Sequence, residues 1–103
     1  MELLTFRIEP GQEIMDVLTR EFQAKNLTSG AIVSVIGATE NCCISNMPES
    51  DPKKDILTEY KKPLELSGIG EIREGKPHIH CTLSGKGDVV IHGHLHWAKV
   101  KAW

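Results

Sequence analysis

All five histidines of the chain fall within its last 26 residues, at a spacing that suits metal binding. They are His78, His80, His92, His94 and His96, in the segment PHIHCTLSGKGDVVIHGHLHW. Side chains two residues apart on a β-strand leave from the same face, so the histidines within each group are neighbours. Imidazole is a common ligand of divalent transition metals. The spacing therefore predicts a metal site, provided that the two groups lie on adjacent strands.

Whether the two groups meet depends on the turn at Gly85–Gly87. If these three residues form the loop of a hairpin, His78 faces His94 and His80 faces His92, all on one side. A two-residue loop would instead put the groups on opposite faces. Three-residue hairpins favour a left-handed residue at the end of the turn, which glycine adopts readily. We therefore favour the three-residue loop and a single histidine-bearing face.

Three converging imidazoles are enough to hold one ion. Opposed strand side chains have Cβ atoms about 5 Å apart, which allows Zn–N bonds of about 2.0–2.1 Å. Zinc is the expected ion, although nickel, copper or iron also suit imidazole. His92 and His96 are candidates for extra ligands or supports, and Glu65 is a candidate carboxylate behind a ligand. The alternative is a set of half-exposed strand histidines that bind nothing.

The rest of the chain predicts a single α+β domain over residues 1–103. Apolar residues recur along one face of a helix between Gln12 and Asn26, namely Ile14, Val17, Leu18 and Phe22. We expect about seven mainly antiparallel strands, with this one principal amphipathic helix packed on the sheet. The predicted strands are Leu3–Ile8, Ala31–Ile36, Glu40–Asn46, Ile56–Tyr60, Leu64–Ile72, His78–Ser84 and Asp88–Val100, with a bend at Gly37 between the second and the third.

Composition and charge argue against several classes of protein. The 12 Lys and Arg residues against 14 Asp and Glu give a formal charge of −2, which disfavours a nucleic-acid footprint. No apolar run approaches the roughly 18 residues of a membrane span, and the first residues do not resemble a signal peptide. Cys42, Cys43 and Cys81 are predicted to be reduced thiols packed as small hydrophobic residues. We expect a cytoplasmic protein that does not associate with membranes.

Five segments occur in the order of the motifs of a known family. The segment Ile8–Glu13, IEPGQE, is similar to a family motif E-P-G-E that ends a strand and begins a helix. The segment Gly30–Ala38, GAIVSVIGA, is similar to a family strand with the pattern G-x-x-x-x-x-x-G-A. LELSGIGEI at Leu64–Ile72 is similar to F-E-I-L-S-L-x-G-N-I. PHIHCTLS and the later Gly93–Leu95 are similar to H-x-H-x-x-L-S and G-G-H-L. Together they resemble the PPC domain, also called DUF296, of plants and prokaryotes.

The resemblance implies a small α+β fold that usually assembles as a homotrimer. It also implies that His78, His80 and His94 are metal ligands near a subunit boundary. Plant members bind AT-rich DNA through separate segments built around R-G-R-P, while the PPC part serves assembly. This chain contains no R-G-R-P, and Glu71 and His92 stand where the family usually has Asn and Gly.

Three functions are consistent with these features. The first is an oligomeric assembly or regulatory module with a three-histidine metal site, which acts with DNA-associated partner proteins. The second is a small metal-dependent enzyme, for which Glu65 or Glu71 would have to supply a general base; we favour the non-enzymatic function. The third is direct DNA binding, which the acidic balance disfavours unless a trimer forms a local basic patch from Lys53, Lys54, Lys61 and Lys62.

Overall fold

A computed structural model describes residues 2–102 and shows one helix and five strands. The elements are α1 (Ile14–Ala24), β1 (Ser29–Asn46), β2 (Ile56–Tyr60), β3 (Leu64–Arg73), β4 (Lys76–Gly85) and β5 (Val89–Ala102). All of the strand pairings described are antiparallel. The α+β class with one principal helix is therefore confirmed, whereas the predicted count of about seven strands is too high. Within the described residues, no helix has the length and apolar content to cross a membrane.

Helix α1 forms where the apolar spacing predicted it, and the four predicted positions are buried. Glu13 precedes the helix, and its carboxylate accepts hydrogen bonds from the backbone N–H groups of Met15 (2.9 Å) and Asp16 (3.0 Å). These N–H groups have no partner within the helix, so the contact stabilises its start. The same carboxylate accepts the N–H of Ala98 on β5 at 2.8 Å, which attaches the helix to the sheet. Asn26, with a φ of 55°, follows the helix end.

The long strand β1 connects the two sides of the sheet. Its residues 29–39 pair with β3, and its residues 38–45 pair with β5. The β3–β4 and β4–β5 pairings complete a closed circuit of four strands, and β2 lies along the second half of β1. Side chains such as Ile79, Leu83 and Leu95 fill the interior with no measurable exposure. Alternate side chains on β4 and β5 therefore face the core, and the histidines lie on the other face.

The predicted strand Leu3–Ile8 is wrong, because this segment forms no regular element. Its side chains Leu3 and Leu4 are exposed, whereas Phe6 and Ile8 are partly buried against the core. The ring of Phe6 lies edge-on to that of Phe22, with centroids 5.9 Å apart. The chain first bonds to the sheet at Gly11, whose N–H donates to the carbonyl of Val100 at 2.8 Å. The apolar residues Phe6 and Ile8 thus pack on the core, Phe6 against α1, without backbone pairing in a sheet.

The predicted break between Ala31–Ile36 and Glu40–Asn46 is also wrong. Both segments belong to β1, which passes through Gly37 without interruption. Its change of partner coincides with irregular pairing, namely the register shifts against β5 between Ala38 and Asn41. Bulges of this kind bend a strand while leaving the sheet hydrogen-bonded on either side. These two corrections account for five strands in place of seven.

The three cysteines are buried free thiols, as predicted. Cys42 and Cys81 have no measurable exposure, and Cys43 is 4% exposed. Burial raises the pKa of all three thiols, that of Cys81 to about 11. Cys42 and Cys43 lie on opposite faces of β1, which keeps these adjacent side chains apart.

Candidate metal centre

The turn between β4 and β5 determines which histidines meet. The loop has three residues, Lys86–Asp88, and so begins one residue later than predicted. Its last residue, aspartate, takes a left-handed φ of 59°, which a short polar side chain tolerates. His80 therefore lies opposite His94, and the predicted pairs His78–His94 and His80–His92 are wrong. The observed register differs from the predicted one by two residues, an even number, so every side chain remains on its predicted face. The prediction of a single histidine-bearing face is therefore confirmed.

Three imidazoles form the centre of this face. The ring centroids of His78 and His94 are 4.8 Å apart, those of His78 and His80 are 5.1 Å apart, and those of His80 and His94 are 5.6 Å apart. Imidazoles that share one ion through Zn–N bonds of about 2.0–2.1 Å have a similar centroid spacing. These are the three residues that the family resemblance identifies as ligands. Imidazole is a residue type that divalent transition metals bind.

The orientation of the rings differs from that of a formed site. The planes of His80 and His94 are only 9° from parallel, so their nitrogens do not converge. Across residues 2–102, no group of three or more His, Cys, Asp or Glu side chains is placed to hold an ion as it stands. Ligation would therefore require rotation of the imidazoles about their side-chain torsions, which are free to take other staggered positions.

His92 and His96 extend the cluster in opposite directions. His92 Nδ1 lies 2.9 Å from Thr82 Oγ1, and its ring centroid is 6.2 Å from that of His80. His96 Nε2 lies 2.8 Å from Ser45 Oγ, and its ring centroid is 4.7 Å from that of His94. Each ring thus has one nitrogen held by a hydroxyl group. We call the five histidines together the histidine face.

The structure separates the two candidate carboxylates. Glu71 lies opposite His78 across the β3–β4 pair, with 3.5 Å between Glu71 Oε1 and His78 Nδ1. Glu65 lies opposite Ser84, four positions along β3 from the residue that faces His80. That offset is about 13 Å along the strand. The structure therefore brings Glu71, and not Glu65, into contact with the histidine face.

The electrostatic environment favours the neutral form of His80 and of His94. Partial desolvation, followed by the charges of His78 and His92, lowers the pKa of His80 below its ordinary value of 6.5. Desolvation also lowers the pKa of His94, with smaller contributions from His96, His78 and His80, while Asp55 opposes the shift. Neutral imidazole is the form that binds metal ions.

Two glycines allow a close approach of β3 to β4 and of β5 to β1 beside the histidines, and the sequence reasoning missed them. A Cβ on Gly70 would lie 2.1 Å from the carbonyl oxygen of His78. A Cβ on Gly93 would lie 2.8 Å from the carbonyl oxygen of Ser45 on β1. A glycine inside a predicted strand is the signal that could have found them, because it often marks a close backbone approach.

Exposed apolar side chains lie beside the histidine face. Ile69 is opposite His80 and is 65% exposed. Ile36 is opposite Ser67 on the neighbouring strand pair and is 69% exposed. Both side chains project from the same face of the sheet as the histidines, because directly paired residues share a face. The surface around the cluster is thus apolar on its β1–β3 side.

Comparison with known families gives one match over the whole chain. The family model of the Plants and Prokaryotes Conserved (PCC) domain matches residues 1–103. A search of curated protein sequences gave no significant match.

Several solved structures share the fold. A plant- and prokaryote-conserved (PPC) protein from Pyrococcus horikoshii is 27% identical, with a TM-score of 0.82 over 94% of this chain and 70% of that protein. A metal-containing protein from Archaeoglobus fulgidus is also 27% identical, with a TM-score of 0.75 over 99% of this chain and 80% of that protein. A Bacteroides thetaiotaomicron protein, provisionally described as DNA-binding, is 22% identical, with a TM-score of 0.78 over 92% of this chain and 68% of that protein. The last comparison bears on the fold alone.

Proposed function

The chain belongs to the Plants and Prokaryotes Conserved (PCC) domain family, and we propose that it is a cytoplasmic oligomeric module that binds one divalent transition metal ion. The proposed ligands are His78, His80 and His94, and the proposed ion is zinc. The proposal is carried by the three imidazoles on adjacent strands, whose centroids lie within 5.6 Å of one another. The metal-containing relative from Archaeoglobus fulgidus supports it. Bound by three imidazoles, such an ion would offer an open coordination position.

The metal proposal is tested by metal analysis of protein purified without a histidine tag. We expect about one ion per chain, or uptake of one equivalent of zinc by protein stripped with a chelator. His80→Ala should weaken zinc binding far more than His96→Ala, the control on the same face, since His96 is held by Ser45 outside the three-ring centre. Metal content well below one ion per chain, together with no uptake of added zinc, would overturn the proposal.

We also propose that the module is a homotrimer, as the family resemblance implies. A chain of 103 residues buries a modest share of its surface, so it gains from contacts between subunits. The apolar side chains beside the histidine face support this assignment. Ile36 and Ile69 leave about two thirds of their area in solvent, and a partner subunit that covered them would remove this apolar area from water.

Solution mass tests the assembly. Light scattering at micromolar concentration should give three times the chain mass of 11.4 kDa. Ile36→Asp should reduce that mass by placing a charge in the proposed interface. Ile56→Asp is the control, because this residue is 55% exposed on β2 and pairs with Asn46, whose side chain leaves β1 from the face opposite to that of Ser45. A monomer mass for the wild-type chain would contradict the assignment.

The proposed biological role is assembly or regulation together with DNA-associated partner proteins. The formal charge of −2 favours contact with such partners over contact with the DNA phosphates themselves. Direct DNA binding is the competing function, and it predicts salt-sensitive binding of duplex DNA by the chain alone.

A further inference from the structure

One carboxylate lies beside the proposed metal ligands. Among the described residues, Glu71 is the carboxylate within ion-pair distance of a histidine, with its Oε1 3.5 Å from His78 Nδ1. The two residues are direct cross-strand partners on β3 and β4. Neighbours in this relationship have Cβ atoms about 5 Å apart, so the contact follows from the backbone register and not from a chance side-chain position.

A second residue fixes the carboxylate in place. Arg73 Nε donates to Glu71 Oε1 at 2.8 Å, and Arg73 Nη2 donates to the same oxygen. Glu71 and Arg73 are two residues apart on β3, so their side chains leave from one face. The guanidinium therefore orients the carboxylate beside His78 through this ion pair. The oxygen that faces His78 is an acceptor only.

We infer that Glu71 is a positioning residue that holds the neutral His78 ring in its Nδ1–H form and directs Nε2 to the metal ion. A neutral imidazole carries one N–H, and a carboxylate beside Nδ1 draws that proton to Nδ1. Nε2 then keeps its lone pair and can ligate. Carboxylates behind metal-bound histidines commonly act in this way. The inference rests on the proposed metal function, but its effect on the His78 ring is measurable without any metal.

The first test is the tautomer of His78, read from ¹⁵N NMR of the metal-free protein near pH 7.5. The wild-type ring should be protonated on Nδ1, and Glu71→Ala should lose that preference. Glu65→Ala is the matched control, since Glu65 lies on the same strand and face but opposite Ser84. A general loss of structure would disturb all five histidine spectra, whereas the loss of positioning should be confined to His78. An unchanged His78 tautomer in Glu71→Ala would overturn the inference.

The second test is zinc affinity, measured by competition with a chelating indicator. Glu71→Ala should weaken binding by about 10–100-fold, as is typical when a partner behind a ligating histidine is removed. Glu71→Gln, which keeps an acceptor oxygen, should recover part of that loss, and Glu65→Ala should bind like the wild type. Equal affinity of wild type and Glu71→Ala would overturn the inference. A wild type that binds no zinc would overturn the proposed function, while the tautomer result would still decide the role of Glu71.

Discussion

His80 and His94 face each other across β4 and β5, with ring planes 9° from parallel and centroids 5.6 Å apart. Neutral rings can stack in this way, but two imidazolium ions at that distance repel each other. Protonation of this pair should therefore destabilise the hairpin formed by β4 and β5.

The metal-free protein should lose stability as the pH falls through about 6.5. The folded state holds the pKa of His80 and of His94 below their ordinary value, so the unfolded chain binds more protons in that range. Their contribution is complete above pH 6.5 and declines below it. Urea unfolding between pH 7.5 and 5 should show a decreasing free energy of unfolding.

A histidine substitution tests whether these side chains cause the decrease in stability. His80→Ala should reduce the slope of stability against pH, because it removes one of the two groups with a lowered pKa. The pKa of Glu71 is also lowered, chiefly by Arg73, but its ordinary value is 4.5. Its contribution is therefore lost only at a lower pH, outside the range of the measurement. A slope that is the same in wild type and His80→Ala would refute the assignment.

Gly70→Ala should destabilise the fold and disturb His78 at the same time. The added methyl group would lie 2.1 Å from the carbonyl oxygen of His78 and 2.9 Å from the Cα of Ile79, so the β3–β4 pair must separate. Overpacking of this kind costs about 1–3 kcal/mol. Urea unfolding of Gly70→Ala should show this loss, whereas Ser67→Ala, an exposed position on the same strand, should be nearly neutral. Comparable stability of the two variants would contradict the close approach.

The three thiols should be unreactive in the folded protein. The thiolate is the reactive form, and burial raises the pKa of Cys42 and Cys43 as well as that of Cys81, which reaches about 11. Reaction with an aromatic disulfide at pH 8 should be slow in buffer and should reach three thiols per chain in guanidinium. Rapid reaction of a thiol in the folded protein would show that the core opens easily.

The shared face of the histidines was predicted from the choice of a three-residue loop, and a register shift by an even number of residues leaves every side chain on its face. The identity of the facing residues was predicted wrongly. The glycines on both sides of Lys86 allowed several loops, and the choice was made by Asp88, which takes the left-handed conformation itself. A register that differs by two residues preserves every face while changing every partner. The single face was therefore predicted correctly and the facing pairs were not.

The strand predictions were likewise correct in some places and wrong in others. Ile56–Tyr60 was predicted with its observed limits, because turn residues bound it on both sides. Leu3–Ile8 has an equally clear apolar pattern, but a pattern cannot specify whether a backbone finds a partner or only a surface to pack on. The continuity of β1 through Gly37 likewise depends on β5, which takes over the pairing near Ala38. Such tertiary pairings cannot be predicted from the local sequence.

The basic residues that could contact DNA lie at the two ends of β2. Lys53 and Lys54 precede the strand, Lys61 and Lys62 follow it, and all four are exposed. Five residues of strand separate the pairs by about 16 Å. Asp55 and other acidic residues lie beside them in the sequence, so neither pair forms an uninterrupted cationic patch within the described chain.

We therefore expect weak or undetectable binding of duplex DNA by this chain alone at physiological salt. Proteins built for non-specific binding neutralise phosphates with Lys and Arg and reach dissociation constants of about 10⁻⁴–10⁻⁶ M. Here each chain carries a formal charge of −2, and a trimer would carry three times that charge, so the long-range field repels the duplex. The DNA titration should be made near pH 7.5, because protonated histidines would make the local charge positive at lower pH. Sub-micromolar, salt-sensitive binding that Lys61→Glu abolishes would overturn this expectation and favour direct DNA binding over the assembly role.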